Sequence, residues 1–268
     1  MQYVKLRNGV EMPLLGLNAS FIPEGKMVEV IGKAYETGYR LFDVFGSEQL
    51  IARALRENGI RRENVFIITK VNSQKLYWGG YSHESHHYLN IRNFKTIRGV
   101  IHESFENLGM DYVDLFLIHE SCPIVTKIWL ELSRLYCEGR IGAIGVSNFL
   151  QPDLEILSEF SDIKPAVNQF DISPLNTQKE LIDYCRQRGI VVSHSGVEES
   201  SEEFMESSLL KDIASRHKKS VKQIVLRWML QQNIVMISKT WEHLEESISI
   251  FDFELSDEEM KEIGSIRS

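Results

Sequence analysis

The sequence predicts a closed barrel of eight parallel strands with helices between them. Three observations carry this reading. Eight short apolar runs recur along the 268 residues, longer amphipathic segments separate them, and a polar or ionisable residue follows nearly every run. Runs that are apolar throughout suit strands buried on both faces, as in a parallel sheet. Eight of them with intervening helices close most naturally into a barrel, which takes about 250 residues as one unit. One domain is therefore expected over residues 1–268.

The chain opens with Val4–Met12 around Asn8-Gly9, a strong hairpin signal. Strand runs follow at Leu14–Leu17, Arg40–Val44, Val65–Thr69, Val113–Ile118, Ala143–Val146, Ala166–Gln169, Ile190–Ser193 and Ile234–Ile237. Helical periodicity fills the gaps, as in Val28–Thr37, Glu48–Glu57, Thr96–Leu108, Thr126–Cys137, Gln178–Arg188 and Val221–Gln231. The runner-up is an open doubly wound sheet. It would want a glycine-rich phosphate turn after an early strand, and Leu15-Gly16-Leu17-Asn18 lacks the G-x-G-x-x-G spacing.

Composition narrows the function classes. The net charge is −8, with 43% hydrophobic and 25% charged residues. That balance disfavours nucleic acid and anionic membrane surfaces as partners and leaves a small-molecule substrate. Cys122, Cys137 and Cys185 are widely spaced with no CxxC pair, so they read as reduced thiols of a cytoplasmic protein. No leader pattern and no apolar stretch near the ~20 residues of a membrane helix is seen.

In a barrel of this kind chemistry sits at the C-terminal ends of the strands. The residues there are Asp43, Lys70, His119, Ser147-Asn148, Gln169, His194 and Lys239-Thr240. One polar residue at a strand end is ordinary. Seven of eight strands ending so, on one rim, marks that rim as the candidate site.

These residues sit in segments that resemble the aldo-keto reductases from end to end. The segments are Gly38–Asp43, Phe66–Lys70, Leu108–His119, Ile144–Phe149, Val167–Gln169, Leu226–Trp228 and Ile237–Thr240. Each is short, but their order and spacing are specific. The resemblance implies a (β/α)8 barrel whose bottom is closed by the hairpin, and carbonyl reduction with NADP or NAD. In that family a tyrosine hydroxyl protonates the carbonyl oxygen, a tuned general acid. By resemblance Lys70 matches the lysine that lowers the tyrosine pKa, Asp43 its partner, and His119 the histidine that orients the carbonyl. Ser147, Asn148 and Gln169 match the residues holding the nicotinamide carboxamide, and amides and a hydroxyl suit that task without charge. His194 falls where the family stacks an aromatic on the nicotinamide ring. Lys239 and Thr240 match positions near the adenosine phosphates.

The sequence departs from the pattern in three places. The family tyrosine lies five residues after the aspartate, before the next helix. Here Glu48–Leu55 matches that helix start, which places Phe45 at the tyrosine position after a three-residue deletion. A gapless count places Glu48 there instead, but spoils the helix match, and Glu48 reads better as a first-turn acid. Secondly, the arginine that favours NADP is absent, and Trp241–Glu246 is shortened and acidic, with His243 the nearest substitute. This implies poor discrimination for NADP and weakened cofactor binding. Thirdly, the segment Asn72–Asn93 is long and carries Tyr77, Trp78, Tyr81, His83, His86, His87 and Tyr88. It reads as a loop over the pocket; two histidines on one helical face are a metal reading with no third ligand fixed by spacing.

The leading expectation is thus a nicotinamide-dependent oxidoreductase with an altered proton donor: His119, Glu120 or a tyrosine of the long loop. The alternatives are a non-redox lyase or cyclase using Asp43, Lys70 and His119, and a nucleotide-binding or scaffold barrel.

Overall fold

A computed structural model describes residues 2–72, 76, 96–172, 177–196 and 206–266. The hairpin pairs β1 (Tyr3–Lys5) with β2 (Glu11–Pro13). Eight strands then form a closed barrel: β3 (Leu15–Asn18), β4 (Leu41–Asp43), β5 (Phe66–Val71), β6 (Val113–Ile118), β7 (Ile141–Ser147), β8 (Val167–Gln169), β9 (Val191–Ser195) and β10 (Val235–Ser238). All pairs are parallel, in chain order, and β10 closes on β3. The expected barrel is what forms.

The strands read as apolar runs because water reaches almost none of them. Every residue of β3, β4, β5, β8 and β10 is buried. The helices cover the outside: α1 (Met27–Thr37), α2 (Glu48–Glu57), α3 (Ile97–Leu108), α4 (Val125–Cys137), α5 (Gln151–Phe160), α6 (Lys179–Gln187), α7 (Ser208–His217), α8 (Val221–Gln231), α9 (Leu244–Ile248) and α10 (Asp257–Gly264). Most present one stripe inward, whereas α8 is buried on all sides over Gln223–Leu230. In α2 the buried set is Glu48, Ile51, Ala54 and Leu55, the three- and four-residue spacing of a helix face. Ser220 with Gln223, and Ser256 with Glu259, form reciprocal capping boxes that fix where α8 and α10 begin.

Close packing at the barrel wall depends on Gly145. A Cβ there would stand 2.6 Å from the Val167 carbonyl oxygen of β8 and 2.8 Å from Leu117 of β6. The hairpin lies at the opposite end from the candidate site. Asn8 Nδ2 donates to the Gly142 carbonyl at 2.8 Å, and Leu6, Met12 and Leu14 are buried beneath. The three cysteines are free thiols; burial raises that of Cys185 to about 11, so it stays protonated. Among the described residues no helix is long and apolar enough to cross a membrane.

Candidate active site

The site begins with a charge pair. Asp43 ends β4 and is in register with Ile68 of β5; Lys70 lies two residues further along β5, on the same face. Lys70 Nζ and Asp43 Oδ2 are 2.8 Å apart, with the side chains 7% and 0% exposed. Either charge buried alone would cost several kcal/mol, and pairing offsets much of that.

A turn of four residues, Val44–Ser47, joins β4 to α2. Gly46 takes φ 82°, a left-handed geometry that favours glycine. Ser47 N–H donates to the Val44 carbonyl at 2.8 Å, and Ser20 Oγ donates to the Phe45 carbonyl at 2.6 Å. So held, Phe45 lines the cavity. Its ring centroid is 5.8 Å from Lys70 Nζ and 4.9 Å from the His119 ring. Glu48 is the first residue of α2, is buried, accepts a 2.9 Å hydrogen bond from Thr69 Oγ1, and does not line the cavity. Of the two alignments open from sequence, the fold therefore puts the phenyl ring beside Lys70. A phenyl ring has no ionisable proton.

His119 follows β6 directly, and its N–H donates to the Val71 carbonyl at 3.2 Å. Its side chain lines the same cavity. Burial, then the Lys70 ammonium, hold its pKa below the ordinary imidazole value, against opposing pulls from Glu120 and Asp43. The imidazole is therefore neutral at pH 7 and can donate or accept a hydrogen bond. Glu120 is half-buried and does not line the cavity.

Next round the rim lies an amide cluster, and Asn148 Nδ2 donates to the His119 carbonyl at 3.4 Å. Ser147 and Gln169 end β7 and β8 and are register partners. Asn148 N–H donates to the Gln169 carbonyl at 2.8 Å, and Asn148 Nδ2 lies 3.3 Å from Ser147 Oγ. Gln169 Nε2 is buried with no hydrogen-bond partner among the described residues. Leaving a buried donor unmade costs about 1–3 kcal/mol, a cost that a ligand acceptor could offset. A carboxamide, with one carbonyl and one NH2, matches the Ser147–Asn148–Gln169 cluster. The cavity between the cluster and Lys70 has a volume of about 400 Å³.

The remaining rim residues divide. Lys239 lines the cavity, its Nζ 5.3 Å from the Phe21 ring centroid. Thr240 Oγ1 accepts from Lys222 Nζ of α8 at 2.7 Å. His243 is mostly exposed and lies 3.7 Å from Glu246. His194 is buried and does not line the cavity; its Nδ1 accepts from Ile172 N–H at 3.0 Å, beneath the 170–172 connection. Phe170 is the aromatic residue that lines the cavity on that side.

Sequence reasoning missed Asn18, Ser20, Phe21, Phe170 and Asp171, which also line the cavity. Asn18 ends β3, so it is the eighth rim position and the barrel rule alone could have found it. The tyrosines and histidines of the long 72–93 segment lie outside the described residues.

Comparison with known proteins gives the family. The model of the aldo/keto reductase family matches residues 14–197 and 193–268. The chain is 38% identical to a glyoxal reductase of Bacillus subtilis, over 98% of this chain and 92% of that one. It is 40% identical to a second oxidoreductase of that organism, YtbE, over 97% and 91% respectively. An aldo/keto reductase structure from Brucella melitensis superposes with a TM-score of 0.85 at 31% identity, covering 98% and 97% of the two chains. With its barrel, its buried Lys70–Asp43 pair and these relatives, the chain belongs to the aldo/keto reductase family and is an oxidoreductase.

Proposed function

We propose that this enzyme reduces a small carbonyl compound with a nicotinamide dinucleotide, using a proton donor other than residue 45. The observation that carries the reading is the order of groups round one cavity rim. Lys70 and His119, at the ends of β5 and β6, are followed by Ser147, Asn148 and the incompletely bonded Gln169 at the ends of β7 and β8.

A bound reduced nicotinamide would supply a hydride, and the residues present fit it. Ser147, Asn148 and Gln169 would hold its carboxamide, with Lys239 and Thr240 on the phosphate side. The chain's own groups do the rest. Neutral His119 offers a hydrogen bond to a carbonyl oxygen, which polarises the carbon. Lys70 places positive charge where negative charge develops on that oxygen. Phe45 and Phe170 give the cavity apolar walls that keep water back. The Bacillus subtilis relative named glyoxal reductase points to short aldehydes and dicarbonyls as the substrate class.

The phenyl group beside Lys70 also favours a second reading, in which Asp43, Lys70 and His119 move protons without redox chemistry. One assay separates the two. The protein is mixed with NADPH or NADH and a panel of short aldehydes, and absorbance at 340 nm is followed. Aldehyde-dependent loss of absorbance is expected. Dinucleotide binding without any oxidation, across the panel, would leave the non-redox reading.

A further inference from the structure

Reduction of a carbonyl adds a hydride to carbon and a proton to oxygen, and residue 45 has no proton to give. Among the described residues, few side chains lining the cavity can. Ser20 and Ser147 are weak hydroxyl acids, Asn18, Asn148 and Gln169 are amides, and Asp171 is a carboxylate. That leaves Lys70, His119 and Lys239.

We propose that Lys70 itself is the general acid, a role opened to it by the phenyl ring at position 45. This inference rests on the reductase reading above. The ammonium has three N–H donors. The ion pair with Asp43 Oδ2, at 2.8 Å, anchors the group. The head group lines the cavity. The Phe45 ring, 5.8 Å from Nζ, forms an apolar wall that also stabilises a cation. A phenol at position 45 would have carried a hydroxyl into the space beside Nζ and His119; a phenyl leaves that space to the substrate oxygen.

The step balances. As hydride from reduced nicotinamide bonds to the carbonyl carbon, the C=O π pair moves to oxygen, and oxygen takes a proton from Nζ. The products are the alcohol, oxidised nicotinamide and a neutral Lys70 amine beside Asp43, which water reprotonates.

Among the described residues, the charged and titratable groups near Lys70 are Asp43 from β4 and His119 after β6, and Asp171 and Lys239 line the same cavity. His119 is the main rival. Its imidazolium form is disfavoured by burial and by Lys70, so at neutral pH it lacks the proton an acid would need. Its fitting task is to orient the oxygen.

The test uses single-turnover hydride transfer at 340 nm across pH 5.5–9, alongside dinucleotide affinity from tryptophan fluorescence. Lys70→Arg keeps the charge and the reach to Asp43 but is a very poor acid. The expected result is unchanged dinucleotide affinity with transfer slower by about 10²–10⁴-fold, the range for a lost general acid. Lys239→Met, on the phosphate side, should instead weaken dinucleotide affinity, the readout that Lys70→Arg leaves alone. The wild-type rate should persist above the range where His119 titrates, a measurement that needs no variant to fold. Wild-type transfer in Lys70→Arg would overturn the proposal. So would a wild-type rate that falls as His119 deprotonates, or an equal loss in Tyr77→Phe, Tyr81→Phe or Tyr88→Phe. If the wild type binds no dinucleotide, the reductase reading fails instead.

Discussion

The ring centroids of Phe45 and His119 lie 4.9 Å apart, tilted by 36°. Burial is the largest cause that lowers the His119 pKa, followed by the Lys70 ammonium. The consequence for stability has a definite sign. A histidine with a lowered folded pKa takes up its proton more readily unfolded than folded. Stability from this residue is complete above the ordinary value near 6.5 and is lost as pH falls through the lowered folded value. Urea unfolding at pH 7.5 and pH 5.5 should show a smaller acid-side loss in His119→Gln than in the wild type. An equal loss would mean that His119 does not titrate differently on folding.

Removing one member of the buried pair should be severe. Asp43→Ala leaves the Lys70 ammonium, 7% exposed at the cavity, without its counter-charge. Breaking such a pair costs about 3–5 kcal/mol. Denaturant unfolding should show that loss, and a cost below about 1 kcal/mol would mean that water reaches Lys70 once Asp43 is gone.

The amide cluster makes a prediction about affinity alone. Gln169→Ala removes the donor left incomplete beside the cavity. Dinucleotide binding, read by fluorescence titration, should weaken by about 1–3 kcal/mol. Because Gln169 makes few bonds within the protein, thermal stability should change much less than affinity does.

Discrimination between dinucleotides should be modest. His243 is exposed and near Glu246, so it makes a poor stand-in for a bidentate guanidinium. The lysines nearby, Lys222 on Thr240 Oγ1 and Lys239 over Phe21, are point charges. The ratio of NADPH to NADH dissociation constants should stay within about a hundredfold, about 2.7 kcal/mol. A larger preference would assign the 2′-phosphate to one of these lysines, and Lys222→Ala and Lys239→Ala would say which.

The strands were legible because burial on both faces leaves a signature that needs no partner to be seen. The run Val113–Ile118 coincides with β6, and Ile234–Ile237 differs from β10 by one residue at each end. Helices bounded by strong signals, Glu48–Glu57 and Val221–Gln231, also coincide with α2 and α8. The helix at Asp257–Gly264 was not singled out, although Ser256 and Glu259 carry a capping box in plain sight. For the site, strand ends identify which residues reach the rim, but not where a ring turns once there. His194 shows this: its position at the end of β9 is readable, whereas its bond to Ile172 N–H depends on the course of the 170–172 connection. Phe21 and Asp171 were invisible for the same reason, since loop paths are set by what they pack against.

Gly145 carries a consequence for how this family member can change. Ser147, at the cavity, lies two residues along β7 from a place where a single methyl group would collide with the β8 backbone. Any relief must push β7 and β8 apart, and those are the strands whose ends carry Ser147 and Gln169. The spacing of these two cavity-lining groups is thus enforced by missing atoms in the wall below them. Substrate preference can drift through the loops above the rim while the distance between strands β7 and β8 stays locked. A variant library across Ser20, Phe21 and Phe170 has freedom that one across positions 143–146 does not.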